Sequence, residues 1–277
     1  MNSKMNSKMN EIKLIAIDLD DTLLHDDLTI SLRAKEDIRK VIAKGITVTL
    51  ATGRMFAAAL PYARELELNV PLITCQGAMV KRVDGELIYH KTIPLELAQG
   101  VADYVRSRDV HLNVYVNDEL FMEQDSPEGR KYVTITRVYP NYVQSFDKLW
   151  ADPTKLAVLA EDERVKRLAV ELEQRFGKSL NITRTLPGIL EITHKKATKG
   201  NAVKALAQSL GFGLENVMAI GDSPNDLEMV RDAGFGVAME NSIPVLKENA
   251  DYITLSNNDD GVAEVLEKIV LNAELAC

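Results

Sequence analysis

Cysteine is nearly absent from this 277-residue sequence, which contains only Cys75 and Cys277. Two cysteines exclude a disulfide framework and a cysteine-based metal site, and they favour a reducing, cytoplasmic location. Long apolar runs are also missing, because the longest stretch without a charged residue, which ends at Val80, is far shorter than the roughly 20 apolar residues of a membrane-spanning helix. Residues 1–10 lack the apolar segment of a secretory signal, and we expect them to be disordered.

An excess of positive charge is missing too: 41 acidic residues stand against 33 basic ones, and the formal net charge is −8. We therefore expect neither nucleic acid nor an anionic membrane as a partner. An anionic substrate would need local cations or a metal ion in its binding site. The chain length predicts about two domains, at roughly 150 residues each.

Alternating helices and buried strands are predicted at both ends of the chain. Largely apolar runs predict strands at Ile12–Ile17, Ile46–Ala51, Leu72–Cys75 and Val217–Ile220. Amphipathic segments between them predict helices, including one over Leu32–Lys44 with Leu32, Ile38, Val41 and Ile42 on its buried face. This pattern indicates an α/β fold with a doubly wound, Rossmann-like parallel sheet built from both ends of the chain.

The middle of the chain has a different pattern. Polar and apolar residues alternate on both sides of Asn117-Asp118, which is typical of a β-hairpin. A charged helix and two more strands follow, and Pro187-Gly188 separates those two strands. We predict an inserted α+β domain over residues 83–194 and a core formed by residues 11–82 and 195–277.

Acidic residues directly follow the first predicted strand. Asp18, Asp20 and Asp21 precede Thr22, and ligands of open α/β sheets bind outside the carboxyl ends of the strands. Because side chains alternate along an extended chain, the carboxylates of Asp18 and Asp20 face one reacting centre. By itself this pattern fits a turn or a helix cap equally well.

Two further segments carry groups that suit a phosphate. Thr52, Gly53 and Arg54 follow the second strand and offer a hydroxyl, a backbone amide and a guanidinium, although Thr52 alone also fits a helix N-cap. Lys199 follows Thr198 at the start of a predicted helix, where its ammonium is a point charge suited to phosphate. A lone lysine, however, usually lies on the solvated surface.

A fourth motif, Gly221–Asp226, follows the strand that ends at Ile220. It contains a capping box with Ser223 at the N-cap, Pro224 at the first helical position and Asp226 at the third. The capping box does not account for the carboxylate of Asp222 or for Gly221, which allows close approach to the backbone. Carboxylates from two adjacent strand ends make a hard-oxygen site for Mg²⁺.

Taken together, these motifs resemble the haloacid dehalogenase superfamily of phosphotransferases and, within it, the Cof-type hydrolases of subfamily IIB, which have a large α+β cap. The resemblance covers nearly the whole chain, and its motifs occur in the family's order at successive strand ends. One departure concerns Gln76-Gly77-Ala78, which stands where the family often has Asn-Gly-Ala.

The resemblance implies a Mg²⁺-dependent phosphatase for small phosphorylated metabolites such as sugar phosphates, nucleotides or phosphorylated cofactors. It makes Asp18 the nucleophile that forms an aspartyl-phosphate, and Asp20 the general acid and base. The implied metal site comprises Asp18, the main-chain carbonyl of Asp20, Asp222 and, in an outer position, Asp226. The implied phosphate-binding residues are Thr52, Gly53, Arg54, Lys199 and Asn225. The insertion would be a lid that selects the substrate.

Two other functions remain open at this point. A phosphomutase would use the same aspartyl-phosphate but return the phosphoryl group to a sugar. A non-catalytic metabolite-binding protein would share the fold, although binding alone does not require the pair Asp18 and Asp20.

Overall fold

The structure is a computed structural model that describes residues 11–272, so the segment 1–10, with its predicted disorder, lies outside the described residues. The strands are β1 (Leu14–Ile17), β2 (Thr47–Leu50), β3 (Leu72–Thr74), β4 (Met79–Lys81), β5 (Leu87–His90), β6 (His111–Val116), β7 (Glu119–Met122), β8 (Asn141–Tyr142), β9 (Lys155–Leu159), β10 (Leu180–Leu186), β11 (Ile189–His194), β12 (Val217–Gly221), β13 (Phe235–Ala238) and β14 (Tyr252–Ile253). The α-helices are α1 (Leu32–Ala43), α2 (Phe56–Glu65), α3 (Leu95–Arg106), α4 (Pro127–Thr136), α5 (Asp162–Phe176), α6 (Lys199–Ser209), α7 (Leu227–Asp232), α8 (Pro244–Glu248) and α9 (Gly261–Val265). Within residues 11–272, none of the helices has the length and apolar character needed to cross a membrane.

A five-stranded parallel sheet joins the two ends of the chain, in the order β14-β13-β12-β1-β2. Strand β1 is completely buried and pairs in parallel with the central strand β12 on one side and with β2 on the other. This arrangement confirms the predicted α/β fold with a parallel sheet. Since β1 and β12 are neighbours that run in the same direction, the residues that follow them lie at the same edge of the sheet.

Helix α1 shows two local errors in the prediction. Ser31 is its N-cap and accepts a hydrogen bond from the backbone N–H of Ala34, and Ile38 and Val41 are buried as expected. The expectation that Leu32 and Ile42 lie on the buried face is wrong, because these side chains are 77% and 38% exposed. Leu32 precedes Ile38 by six residues, which places it about 120° away around the helix.

Strand β3 ends at Thr74, one residue earlier than predicted. It pairs antiparallel with β4, and a single parallel bridge between Ala51 and Ile73 connects it to the segment after β2. The turn Cys75–Gly77 causes this reversal, since its three residues have φ angles of +52°, +60° and +84°. A strand cannot continue through left-handed backbone of this kind.

The chain folds into two compact units. Among the described residues, the first contains everything up to Gly53, then Ala59–Tyr89, and the chain from Thr198 onward. The second contains Arg54–Ala58 and His90–Ala197. The assignment of residues 83–194 as an inserted lid stays a prediction.

The second unit contains a six-stranded sheet in the order β10-β11-β9-β6-β7-β8, antiparallel except for the pair β7–β8. The predicted hairpin is present, and Asn117 and Asp118 form its turn with positive φ angles of +52° and +68°. Helices α3 and α5 contribute to an apolar cluster with one face of this sheet, which includes Val114, Val158 and Ile192.

The alternate side chains of the same strands form a polar face. Lys155 and Glu191 make a buried salt bridge, and the ammonium of Lys155 lies 4.8 Å from the ring centre of Tyr115. The hydroxyl of Tyr115 donates a hydrogen bond to the hydroxyl of Tyr132 in α4. Charged and hydroxyl groups on this polar face thus pair with one another.

Candidate active site

An acidic cluster lies at the carboxyl ends of β1 and β12. Carboxylate oxygens of Asp18, Asp222 and Asp226 all lie within 4.8 Å of one another, and the three side chains are buried. The backbone N–H of Asp18 still donates to the carbonyl of Ile220, so the β1–β12 pairing continues up to the cluster. The sheet geometry therefore brings the first and fourth sequence motifs together.

Lys199 is the cation of this cluster. Its ammonium donates hydrogen bonds to Asp18 Oδ1 at 2.5 Å and to Asp226 Oδ1 at 2.6 Å, and the residue is only 1% exposed. Thr198 caps helix α6 by accepting a hydrogen bond from the backbone N–H of Asn201. The reading of Lys199 as a solvated surface lysine is thus wrong.

The charges in the cluster do not balance, since three carboxylates surround one ammonium. Burial alone would lower the pKa of Lys199, but the charges of Asp18 and Asp226 outweigh it and raise this pKa. Burial raises the pKa of Asp18, which Lys199 partly opposes. Burial and the charge of Asp226 raise the pKa of Asp222 to about 6. A divalent cation would relieve this excess of negative charge, and the hard carboxylate oxygens are the ligands that Mg²⁺ prefers.

Asp226 uses both of its oxygens within the protein. Oδ1 accepts from Lys199, while Oδ2 accepts from the backbone N–H groups of Asp222 at 3.1 Å and Ser223 at 3.0 Å. The predicted capping box is present, with Ser223 as the N-cap and Pro224 at the first position. A Cβ atom on Gly221 would lie 2.5 Å from the Cβ of Asp226, which explains the glycine. Asp226 therefore orients Lys199 and the loop that carries Asp222.

The backbone after β1 is extended at both proposed chemical residues. Asp18 has φ −68° and ψ 157°, and Asp20 has φ −72° and ψ 131°, before Asp21 turns the chain with φ +58°. The carboxylate of Asp20 is half-buried and is not a member of the acidic cluster. The carboxylates of Asp20 and Asp18 thus lie in different environments, which suits the different roles proposed for them.

Thr52 is buried, and its backbone N–H donates to the carbonyl of Ile73 at 2.9 Å. Helix α2 begins at Phe56, so the interpretation of Thr52 as a helix N-cap is wrong. Gly53 belongs to the same unit, whereas Arg54 belongs to the second unit and its role stays a prediction.

Two contacts at the candidate site were not predicted. The hydroxyl of Thr22 donates to Asp222 Oδ1 at 2.8 Å and joins the first motif to the fourth. The side chain of Gln76 accepts a hydrogen bond from Asn225 Nδ2 at 2.6 Å. The only local signals in the sequence were the threonine in the first motif and Gly77, which favours a turn after β3.

Comparison with known proteins agrees with this geometry. The family of haloacid dehalogenase-like hydrolases matches residues 15–266. The 5-amino-6-(5-phospho-D-ribitylamino)uracil phosphatase YcsE of Bacillus subtilis is 32% identical over 261 residues, which cover 94% of this chain and 97% of that protein.

Solved structures show the same similarity over the whole fold. A crystal structure from Thermotoga maritima has a TM-score of 0.85 at 33% identity and covers 93% of this chain and 97% of its own. A haloacid dehalogenase-like hydrolase from Bacteroides thetaiotaomicron also has a TM-score of 0.85, at 30% identity, with 93% and 99% coverage. The chain therefore belongs to the haloacid dehalogenase-like hydrolases of the Cof type and is a phosphatase of that family.

Proposed function

We propose that the protein is a Mg²⁺-dependent phosphomonoesterase for small phosphorylated metabolites, and that it works through an aspartyl-phosphate on Asp18. The observation that carries this proposal is the buried cluster in which Lys199 contacts Asp18 and Asp226. A nucleophilic carboxylate beside a fixed cation suits phosphoryl transfer, which depends mainly on positioning and on neutralisation of charge.

In this proposal the two acids of the first motif divide the chemistry. Asp18 attacks phosphorus as the bond between phosphorus and the ester oxygen breaks, and Asp20 donates a proton to this departing oxygen, which leaves as an alcohol. Asp20 then removes a proton from the water that hydrolyses the aspartyl-phosphate. The half-buried position of Asp20 supports this task, since a proton carrier must be accessible to both alcohol and water.

The phosphoryl oxygens would be held by Thr52, Gly53, Arg54, Lys199 and Asn225. Lys199 supplies fixed positive charge, which the protein as a whole lacks at a net charge of −8. The backbone amide of Gly53 and the amide of Asn225 supply neutral donors.

The metal ion would be held by the carboxylates of Asp18 and Asp222 and by the main-chain carbonyl of Asp20, with Asp226 outside the ligand set. The occupied oxygens of Asp226 support its outer position. When bound, Mg²⁺ supplies positive charge that stabilises the transferring phosphoryl group. Thr22 orients Asp222 by its hydrogen bond.

The second unit supports a role in substrate selection. Its polar face contains the buried pair Lys155–Glu191, and a buried ion pair is a poor source of stability compared with apolar side chains. We therefore propose that the insertion, residues 83–194, selects the organic part of the substrate and that this polar face contributes to the selection. The substrate in the name of the Bacillus subtilis relative contains a ribityl chain, whose hydroxyl groups could hydrogen-bond to such a polar face.

The proposed activity is tested with purified protein, Mg²⁺ and a panel of sugar phosphates, nucleotides and phosphorylated cofactors. We expect release of inorganic phosphate that ends when EDTA is added and returns with excess Mg²⁺. Turnover that persists in EDTA would contradict the metal requirement. A need for a sugar bisphosphate activator, with no steady release of phosphate, would instead indicate a phosphomutase.

The variants Asp18→Asn and Asp20→Asn distinguish the roles of the two aspartates. Asp18→Asn removes the nucleophile, so we expect loss of turnover for every ester, including aryl phosphates. Asp20→Asn removes the proton carrier, and we expect a loss of about 10² to 10⁴-fold with alkyl phosphates and a smaller loss with an aryl phosphate, whose phenolate leaves without a proton.

Intact-protein mass spectrometry after an acid quench provides the second measurement. Asp20→Asn with an aryl phosphate should accumulate a phosphorylated protein, because hydrolysis of the intermediate lacks its base. Asp18→Asn should show no adduct. A phosphoryl group mapped to Asp20 in the unsubstituted protein would reverse the assigned roles.

The raised pKa of Asp222 predicts a pH-dependent stability in EDTA. The pKa of Asp222 is about 6 in the folded protein, whereas the ordinary pKa of an aspartate is 3.8. The contribution of Asp222 to stability is therefore complete at a pH below its pKa in the unfolded state. This contribution is lost as the pH rises through its pKa in the folded state. Between these values the free energy of unfolding should fall by on the order of 2 kcal/mol more in the unsubstituted protein than in Asp222→Asn.

Urea denaturation at intervals across this pH range, followed by circular dichroism, measures that difference. Mg²⁺ competes with the proton, so the stabilisation by Mg²⁺ should grow as the pH rises and should be much smaller in Asp222→Asn. An equal pH dependence in the two proteins would show that Asp222 is not the titrating group.

Substrate selection is tested with the double variant Lys155→Met, Glu191→Leu. Replacing both members of a buried pair by apolar residues is often neutral for stability, whereas one replacement alone leaves an unpaired charge and costs about 3–5 kcal/mol. We expect a changed ranking of kcat/KM over the substrate panel. The single tryptophan, Trp150, packs on Phe121 in the second unit, and its fluorescence checks that this unit is folded. An unchanged ranking in the folded double variant would exclude the pair from selection.

A further inference from the structure

The turn Cys75–Gly77, between β3 and β4, has an unfavourable backbone conformation and makes close contacts with neighbouring segments. Cys75 and Gln76 have φ angles of +52° and +60°, which residues with a side chain rarely adopt. Backbone of this kind persists where the surrounding structure enforces it, and it is concentrated at functional sites.

The amide of Gln76 lies against two segments of the candidate active site. A Cβ atom on Gly53 would be only 2.3 Å from Gln76 Nε2, so a side chain at position 53 and this amide exclude each other. On its other side, Gln76 Oε1 accepts a hydrogen bond from Asn225 Nδ2 at 2.6 Å. Gln76 is 8% exposed, and its buried amide thus links the segment after β2 to the segment after β12.

The backbone of the same turn contacts the other segments that would hold phosphate. The N–H of Gln76 donates to the carbonyl of Thr52 at 3.2 Å. A Cβ atom on Gly77 would lie 2.2 Å from the carbonyl oxygen of Thr198 and 2.7 Å from the backbone nitrogen of Lys199. One three-residue turn therefore lies against the Thr52, Lys199 and Asn225 segments together.

We propose that Gln76 is a positioning residue for phosphoryl binding, because its amide fixes the side chain of Asn225 and lies against the backbone of Gly53. The inference rests on the proposed function, in which Gly53 and Asn225 contact the phosphoryl group. Gln76 acts through these two residues.

The variant Gln76→Asn separates positioning from stability. Asparagine adopts left-handed backbone more readily than glutamine, so the turn is relieved and the protein should keep or raise its Tm. The side chain is one methylene shorter and does not reach Asn225. Since a misplacement of about 1 Å can cost 10²-fold, we expect kcat/KM to fall about 10 to 100-fold and the inhibition constant of inorganic phosphate to rise by at least about tenfold.

Two companion variants complete the test. Gln76→Met keeps the length of the side chain and the backbone preference but removes the amide oxygen and nitrogen, and it should also weaken phosphate binding. Glu67 is an exposed residue just after the C-terminal end of α2, and its φ angle is +57°. Glu67→Asn therefore relieves left-handed backbone in the same way, and it should leave the kinetics unchanged.

A double-mutant cycle with Asn225→Ala tests whether Gln76 acts through Asn225. Gln76→Asn should cost much less in the Asn225→Ala background than alone. Three results would overturn the inference: an unchanged phosphate inhibition constant in both Gln76 variants, full additivity with Asn225→Ala, or weaker binding that appears only with loss of folded protein. Absence of turnover in the unsubstituted protein would instead refute the proposed function.

Discussion

The burial of one ammonium group among three carboxylates is the constraint on which the structure of this site depends. Lys199 is held between Asp18 and Asp226. Asp226 in turn accepts hydrogen bonds from backbone N–H groups of the loop that carries Asp222. Charged groups are costly to bury unless they are paired and hydrogen-bonded, so each member must be held in place by the others. Removing Lys199 would leave the three carboxylates without their cation, which makes the cluster a single electrostatic unit.

The parallel sheet explains why residues so distant in the chain can form this unit. Asp18 and Asp222 are separated by more than 200 positions, yet β1 and β12 are adjacent and parallel at the centre of the sheet. Every strand in such a sheet ends at the same edge, so a short motif after each strand is sufficient to build a site. The completely buried apolar strands need no polar residue before their ends, and the chemistry is confined to the loops.

Features that depend on local pattern could be predicted from the sequence, and features that depend on side-chain contacts across the chain could not. The apolar runs predicted β1 and β12, and the position after each strand predicted that Asp18 and Asp222 meet. The contact of Thr22 with Asp222 spans 200 positions and has no periodic signal. Leu32 was misplaced because the burial of a helix depends on which face the sheet covers, and an apolar residue at a helix start need not lie on that face.

Two costly features of the structure lie near the residues proposed for chemistry. Left-handed backbone occurs at Asp21 after β1 and at Cys75 and Gln76 after β3, close in sequence to the residues proposed for chemistry. The unbalanced carboxylates lie at the ends of β1 and β12. A chain selected for stability alone would remove both features, since relaxed turns and apolar side chains are available at little cost. Their retention beside a largely apolar sheet means that the fold supplies the stability that offsets their cost. In the proposed function, a bound cation would compensate the negative charge of the cluster, and a bound phosphate ester would accept hydrogen bonds from the donors of the site.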